Sequence, residues 1–540
     1  MKSWMKMIAP LLIMALLFTA CSSSGNGGGN NQQNDPPAAS NAGGNSQNEQ
    51  KEEKKEKIKL RWFVNGWNNT SLPSEDKDFV LKAIEEKFNV DLDLQYMTWG
   101  QEYQSKLNTM IASGDIPDVF YMGGMESNTY IKDGVARDLK DWVTPERMPN
   151  YFQYWMTEAD LAAYQVQDVF KRAPVPYAKK KYRSYYVRKD WLDKLGLDMP
   201  QTYEEMVNVM KAFTEQDPDG NGKNDTYGYT TSGSGTSVNM EFPAFLNNGL
   251  IGPFMIDNGR FVDSRTDKRM QQVLDDIRAL LPYTDPDWLL NKGAQAVEKV
   301  TQGKAGIVFS IGTTTALESN PNGIQAKTKS VTGVDTVDWQ PFHPWKDTGV
   351  WAEESPGNPF LISSKTTDDK IERSLEIMDW LAGEEGFLLT RYGQEGVHYK
   401  RNGSKLEIIK DAYQRDVIDN GNFIDIYGWF TPKTPEIFGL EVVDPEMTER
   451  DKAIADMVKS YKFLPHIGTS LVVKEGMDLG SLRKKMNEYH VHMLYEDKDA
   501  SNWPKYREEL MTTYGGKDIF TYYAEQVTNA TGNAVSFEAE

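Results

Sequence analysis

Residues 58–64 read IKLRWFV and residues 90–97 read VDLDLQYM. Ile58, Leu60, Trp62 and Val64 fall on one side of the first stretch, and Val90, Leu92, Leu94 and Tyr96 on one side of the second. That period of two marks strands with a buried face. Between them Phe79, Val80, Ala83, Ile84 and Phe88 recur at helical spacing, and strand, helix, strand is the unit of a parallel sheet. A second helix over about 101–112 points Tyr103, Leu107, Met110 and Ile111 inward. SGDIPDVFYMGG at 113–124 follows: Gly114 stops the helix, Pro117 sets a turn, and Val119 to Met122 return as a third strand. The pattern predicts an α/β fold.

Upstream, Lys2 and Lys6 precede an apolar run from Met7 to Phe18, the pattern of a secretory signal and too short to stay as a membrane span. Residues 16–21, LLFTAC, end it with small Thr19 and Ala20 before Cys21, the only cysteine of 540 residues. The expected division is a signal peptide over 1–20, then Cys21 and a tether to residue 57. Residues 22–50 are rich in Gly, Asn, Ser and Gln, with too little apolar surface to offset chain entropy. A coil of that length reaches roughly 30–35 Å. No run of apolar residues after Cys21 is long enough to span a bilayer.

A formal charge of −19 argues against nucleic acid as partner, since phosphate recognition needs clustered cations. One cysteine excludes disulfides and cysteine metal centres. The five histidines contain one close pair, His490 and His492, with no third ligand beside it, and a structural role is expected. No HExxH, P-loop or nucleophile elbow is present. The competing readings are a secreted carbohydrate-active enzyme, which would need two carboxylates facing each other across a cleft, and a cell-surface sugar sensor or adhesion protein.

ASGDIPDVFY at 112–121, YYVRKDWLDKLGLDMPQTYEEMVNVMKAF at 185–213, GKAGIVFSIG at 303–312 and NPFLISSKTTDDKIERSLEIMDWLAGEEG at 358–386 occur in one order. Together they resemble the family 1 extracellular solute-binding lipoproteins of carbohydrate ABC importers, in the large oligosaccharide-binding branch of Gram-positive bacteria, and LLFTAC resembles a lipobox. The resemblance implies a type II periplasmic-binding-protein-like fold with two lobes linked by three chain crossings. Lobe I would hold 58–178 and 351–395, and lobe II 179–350 and 396–540. It implies a monomer on the outer face of the cell membrane, held by a diacylglycerol, palmitate-type lipid on Cys21, which passes an oligosaccharide to ABC permease subunits. Each motif also reads as punctuation: Thr202 and Glu205 form a capping box, and Ile371, Leu375, Met378 and Leu381 form a buried helix face.

DPDGNGKND at 217–225 places oxygen side chains at loop positions one, three, five and nine, Asp217, Asp219, Asn221 and Asp225, with the Lys223 carbonyl at seven. Glycines between them permit a tight turn, and the spacing suits a structural Ca²⁺. Position twelve is Gly228, so the bidentate Glu of a full EF-hand is missing. For the sugar, fourteen tryptophans, one of them in the leader, supply apolar platforms, with polar groups at the ring edges. Those at strand ends or crossings are expected to meet ligand: Trp67, Tyr121 and Met122, Trp351 with Glu353 and Glu354, and Tyr427 with Trp429. Trp62, Trp142, Trp191 and Trp380 lie on periodic apolar faces and are expected to pack.

Overall fold

The computed structural model describes residues 56–66, 70–98, 101–122, 127–157, 160–161, 172–173, 178–354, 360–431 and 433–539; Cys21 and Trp67 lie outside them. The N-terminal unit, Met1–Lys54, also lies outside them, and Lys55–Glu540 forms the second compact unit.

The expected alternation forms β1 (Ile58–Gly66), α1 (Phe79–Phe88), β2 (Val90–Thr98), α2 (Gln101–Ser113) and β3 (Val119–Tyr121). β1 lies between β2 and β3 and is parallel to both, with Ile58 opposite Val90 and Trp62 opposite Val119. Asp78 caps α1 by accepting from the Leu81 amide, and Asn89 ends the helix at φ 50°. The short polar side chain of Asn tolerates that left-handed turn.

Further along come β4 (Arg172–Ala173), β5 (Arg183–Arg188), β6 (Tyr227–Thr230), β7 (Phe254–Asp257), β8 (Arg260–Asp263), β9 (Ala305–Ile311) and β10 (Trp339–Phe342). They are followed by β11 (Trp351–Ala352), β12 (Phe360–Ile362), β13 (Tyr399–Asn402), β14 (Lys405–Ile408), β15 (Glu441–Val443) and β16 (Phe463–Leu464). The first sheet runs β2-β1-β3-β12-β4, with β12 arriving antiparallel to β3; the second runs β10-β5-β9-β6. As expected, Thr202 caps the helix Tyr203–Glu215 through the Glu205 amide, while the Glu205 carboxylate takes the N–H of Gln201, one residue before the cap.

Among the described residues two large apolar cores divide the fold, with a smaller third cluster of Tyr186, Val308, Ile324 and Trp339. Leu60, Trp62, Ile84, Phe120, Ile371 and Leu375 belong to the first; Tyr185, Phe213, Trp288, Ile307, Trp503 and Phe520 belong to the second. Burying side chains of this size contributes roughly 1.5–3 kcal/mol each. Among the packing tryptophans, Trp62, Trp191 and Trp380 are buried and Trp142 is half-buried. One boundary differs from expectation. Tyr399, Leu406, Val417, Phe423 and Leu440 pack in the first core, although the resemblance assigned 396–540 to the second lobe. The β13–β14 hairpin places its few apolar side chains, Tyr399 and Leu406, in the same apolar cluster as Phe387, Leu388 and Tyr392 of the helix Glu384–Tyr392.

Candidate functional site

The chain enters β1, moves to one side for β2 and to the other for β3, so the order of the first sheet reverses at β1. In open α/β sheets ligands settle outside the carboxyl ends of the strands at such a point. There Asn65, 1% exposed, holds a side-chain oxygen with no hydrogen-bond partner among the described residues. Tyr121 ends β3, Met122 follows it, and both are buried. The Tyr121 ring stands edge-on to Tyr103 and Phe360, and its carbonyl accepts the Tyr103 hydroxyl at 2.8 Å, so its aromatic face belongs to the interior.

Three segments distant in sequence, at Lys179, 350–354 and 462–464, lie side by side next to the second core. Glu354 N–H donates to the Lys179 carbonyl at 2.8 Å, Glu353 N–H to Leu464 at 2.8 Å, and Val350 N–H to Lys462 at 3.0 Å. β11 and β16 pair in parallel across the same place, Trp351 opposite Phe463. Three segments distant in sequence thus form one narrow ribbon, with few backbone hydrogen bonds to resist bending. Lys179 reaches Asp160 at 2.7 Å beside it.

On this ribbon stands a group that periodicity did not single out. Arg183 opens β5, a strand with all six residues buried, and its guanidinium lies 4.5 Å from the Trp351 ring centroid. One nitrogen donates to Glu354 at 2.6 Å, and its Nε has no partner among the described residues. Burial pulls the Arg183 pKa down, against the carboxylates of Glu354 and Glu241, which raise it. Trp351, expected as a platform for ligand, is buried with Arg183 over its ring and Phe309 6.2 Å away. Glu353 is half-buried and meets the ribbon through its backbone.

Glu241 faces Arg183 from the loop after β6. Its Oε2 accepts from Thr231 at 2.6 Å and Asn239 at 3.1 Å, and its carbonyl accepts the hydroxyls of Tyr185 and Tyr229. Burial raises its pKa above 4.5, opposed by the Thr231 and Asn239 hydrogen bonds and by Arg183. A carboxyl whose folded pKa is raised adds stability below its unfolded value, and that stability is lost as pH rises through the folded value. Glu241→Gln is therefore expected to raise Tm at pH 7 and to leave it unchanged below about pH 4. A Tm difference that is flat with pH would contradict this assignment.

Tyr427 sits away from this ribbon: it is buried, and its hydroxyl donates to Asp78 at 2.7 Å, bracing the N-terminus of α1. The Trp429 backbone lies in the turn Gly428–Phe430, and its side chain falls outside the description. Of the proposed ligand contacts, Trp351 and Glu354 are brought together, Glu353 lies beside them, and Tyr121 and Met122 end a neighbouring strand.

DPDGNGKND folds as a turn closed by its own N–H groups. Asp217 accepts from Gly220, Asn221 and Gly222 at 3.0–3.1 Å, and the Asn221 amide reaches Asp219 at 2.8 Å and Asp225 at 3.0 Å. Lys304 meets Asp225 at 2.5 Å, and Lys194 donates to the Pro218 carbonyl at 3.0 Å. The Gly222 amide and its neighbours hold the Asp217 pKa down, whereas burial and Asp217 raise that of Asp219. The oxygen donors suit a hard cation, yet the Asn221 amide and the Lys304 ammonium stand where an ion would draw those oxygens together. Among the described residues no group of three or more His, Cys, Asp or Glu side chains is arranged to hold a metal. The Lys223 N–H donates to Asn221 Oδ1 at 2.7 Å.

His490 and His492 lie on the helix Leu479–Tyr495 and not on a strand; His490 is buried, and His492 bridges Glu496 and Asp497 at 2.9 and 3.2 Å. No described helix is long and apolar enough to cross a membrane.

Separate apolar cores in a mixed α/β fold, with polar groups gathered where the segments at Lys179, 350–354 and 462–464 meet and at the strand ends, fit a two-lobed α/β binding protein. Comparison with known proteins supports that class. The bacterial extracellular solute-binding protein family matches residues 66–386, and the chain belongs to that family. The polygalacturonan/rhamnogalacturonan-binding protein YtcQ of Bacillus subtilis (strain 168) is 24% identical over 374 residues, 67% of this chain and 70% of its own. The structure of an HMO-binding, ABC-transporter-associated solute-binding protein from Bifidobacterium longum infantis ATCC 15697 superposes at TM-score 0.66 with 17% identity, covering 87% of this chain and 99% of that one. An EF-hand mutant of the ABC-transporter substrate-binding protein FusA of S. pneumoniae, in complex with fructo-nystose, superposes at TM-score 0.61 with 17% identity, covering 88% and 99%. The relatives are named as binding proteins, and the chain belongs to a solute-binding family.

Proposed function

We propose that this chain is the lipid-anchored receptor of an ABC importer and captures an oligosaccharide between its lobes. The observation that carries the reading is the ribbon itself: Arg183, Glu354 and Glu241 converge where the segments at Lys179, 350–354 and 462–464 meet. An arginine whose buried Nε has no partner among the described residues, beside two carboxyls, can donate to and accept from sugar hydroxyls as the lobes rearrange around a ligand. Trp351 acts through Arg183 by holding its guanidinium flat. Lobe I corresponds to the first core, including 399–440, and lobe II to the second, with the ribbon as hinge. The related YtcQ and FusA support saccharide as the ligand class. LLFTAC supports lipid on Cys21, which would keep the monomer on the outer face of the membrane near its permease subunits, within reach of the tether. A thermal-shift screen against neutral and acidic oligosaccharides tests the reading: a bound sugar at 100 times its Kd adds about 2.7 kcal/mol of stability. New reducing ends that track the protein would favour the enzyme reading instead.

The turn at 217–225 is part of the same proposal. Ca²⁺ would be held by Asp217, Asp219, Asn221, the Lys223 carbonyl and Asp225, and would supply fixed positive charge that braces the second lobe. The ion must displace Lys304 from Asp225. Ca²⁺ is therefore expected to raise Tm and EDTA to lower it, and Lys304→Ala is expected to bind Ca²⁺ more tightly by removing the competing ammonium. A Tm indifferent to Ca²⁺ in both proteins would leave the segment as an ordinary turn.

A further inference from the structure

We propose a second saccharide site on the outer face of the second core, a groove of about 820 Å³ beside the helix Leu479–Tyr495. The inference rests on the oligosaccharide reading above and extends it to long chains. Pockets of a few hundred to a thousand cubic ångströms suit small ligands.

The groove is lined by Tyr489, Val491 and Tyr506, with Lys484, Asn487 and Glu488 also along it. Tyr489 and Tyr506 come from successive helices and stack with centroids 4.2 Å apart and planes 7° apart. The Lys485 ammonium stands 4.7 Å from the Tyr489 ring centroid, and His492 lies edge-on to Tyr506 at 6.2 Å. Both rings are half-buried, and neither lies in the second core's fully buried set. The stack turns one face of each ring to the other and Lys485 stands over Tyr489, so a sugar's apolar face would meet Tyr506 from outside the stack while its hydroxyls meet the donors and acceptors of both signs around it. A purely apolar partner would strand Lys484, Glu488 and Asn487 without water.

The rim is formed by Gly235 and Thr236, both exposed. A side chain at Gly235 would meet no atom within 4 Å, and its φ of +84° is one that glycine adopts at little cost. This turn is pinned by the Gly233 and Gly235 amides, which donate to Trp288 and Leu289, each at 2.7 Å. The same loop carries Thr231, Asn239 and Glu241, which form the polar group facing Arg183. One loop thus serves the ribbon at its base and the groove at its tip. A chain longer than the ribbon site accommodates could engage both, and joining two weak contacts raises affinity through effective concentration.

The test uses the full chain and two probe pairs, a trimer and a polymer of at least ten units, from neutral inulin-type fructan and from polygalacturonate, read by titration calorimetry. For whichever sugar the ribbon binds, the polymer is expected to bind about tenfold or more tightly than the trimer. Tyr506→Ala should bring the polymer down to the trimer's affinity and leave trimer binding unchanged. Thr236→Trp, which fills the groove from an exposed position, should do the same without altering Tm, so that loss of the stacked tyrosines is not confused with unfolding. A polymer advantage that survives both substitutions, or none in the wild type while the trimer binds, overturns the groove alone. Failure of every sugar at both lengths overturns the groove and the oligosaccharide reading together.

Discussion

Arg183→Met is expected to weaken oligosaccharide binding by one to two orders of magnitude, on the order of 1.4–2.8 kcal/mol. Three physical effects add in one direction. The substitution removes a guanidinium whose buried Nε has no partner among the described residues, leaves the Glu354 carboxylate without its 2.6 Å partner, and leaves the Trp351 ring without the guanidinium that lies against it. Breaking a fully buried pair would cost about 3–5 kcal/mol, but the Glu354 side chain is 36% exposed and water screens part of that loss. A stability loss of about 1–2 kcal/mol is therefore expected beside the binding loss. Arg183→Lys should restore part of the stability and little of the affinity, because an ammonium can neutralise Glu354 but lacks the flat fork that lies on Trp351. Calorimetry on the three proteins separates the effects. Equal sugar affinity in Arg183→Met and wild type would remove Arg183 from the binding site.

Cys21→Ser is expected to release the protein from the membrane or to block its processing, while leaving sugar affinity unchanged. A single acyl chain binds membranes only marginally, so two chains on one thiol make the difference between a transient and a stable anchor, and serine offers no thiol for their attachment. Fractionation of cells expressing each form gives the readout: wild type with the membrane, and the variant in the medium or retained with its leader uncleaved. Retention and processing equal to wild type would contradict the lipobox reading of LLFTAC. Because the folded unit begins after the tether, calorimetry on the released variant also separates anchoring from binding.

The sequence made the first sheet legible because its signals are local. Ile58 to Val64 and Val90 to Tyr96 alternate cleanly, the helix between them keeps one apolar stripe, and Thr202 caps through Glu205 as its spacing predicts. What it hid was decided over long distances. Arg183 looks like another member of the basic run KKKYR, and its partner Glu354 lies 171 residues away. Only an arginine at the head of an otherwise apolar strand, RSYYVR, could have drawn attention to it, and Arg188 at the other end of that strand shows the same trait, pairing with Asp190 and lying 4.5 Å from the Trp191 ring centroid. Tyr121 and Tyr427 misled for the opposite reason: an aromatic near a strand end or in a short helix has one appearance in sequence whether it faces a cleft or, as here, the first core. The β13–β14 hairpin carries too few apolar residues to show which core it joins.

If the three-segment ribbon at Lys179, Glu354 and Leu464 is a hinge that closes the lobes on a sugar, small-angle X-ray scattering on the protein with and without an oligosaccharide bound in calorimetry gives the most direct measurement. The account predicts that the radius of gyration falls as the sugar saturates, with the midpoint at the calorimetric Kd, and that Arg183→Met moves the midpoint to correspondingly higher sugar concentration. A sugar that saturates the protein with no change in scattering would show that it does not bind between the lobes, and would contradict the account.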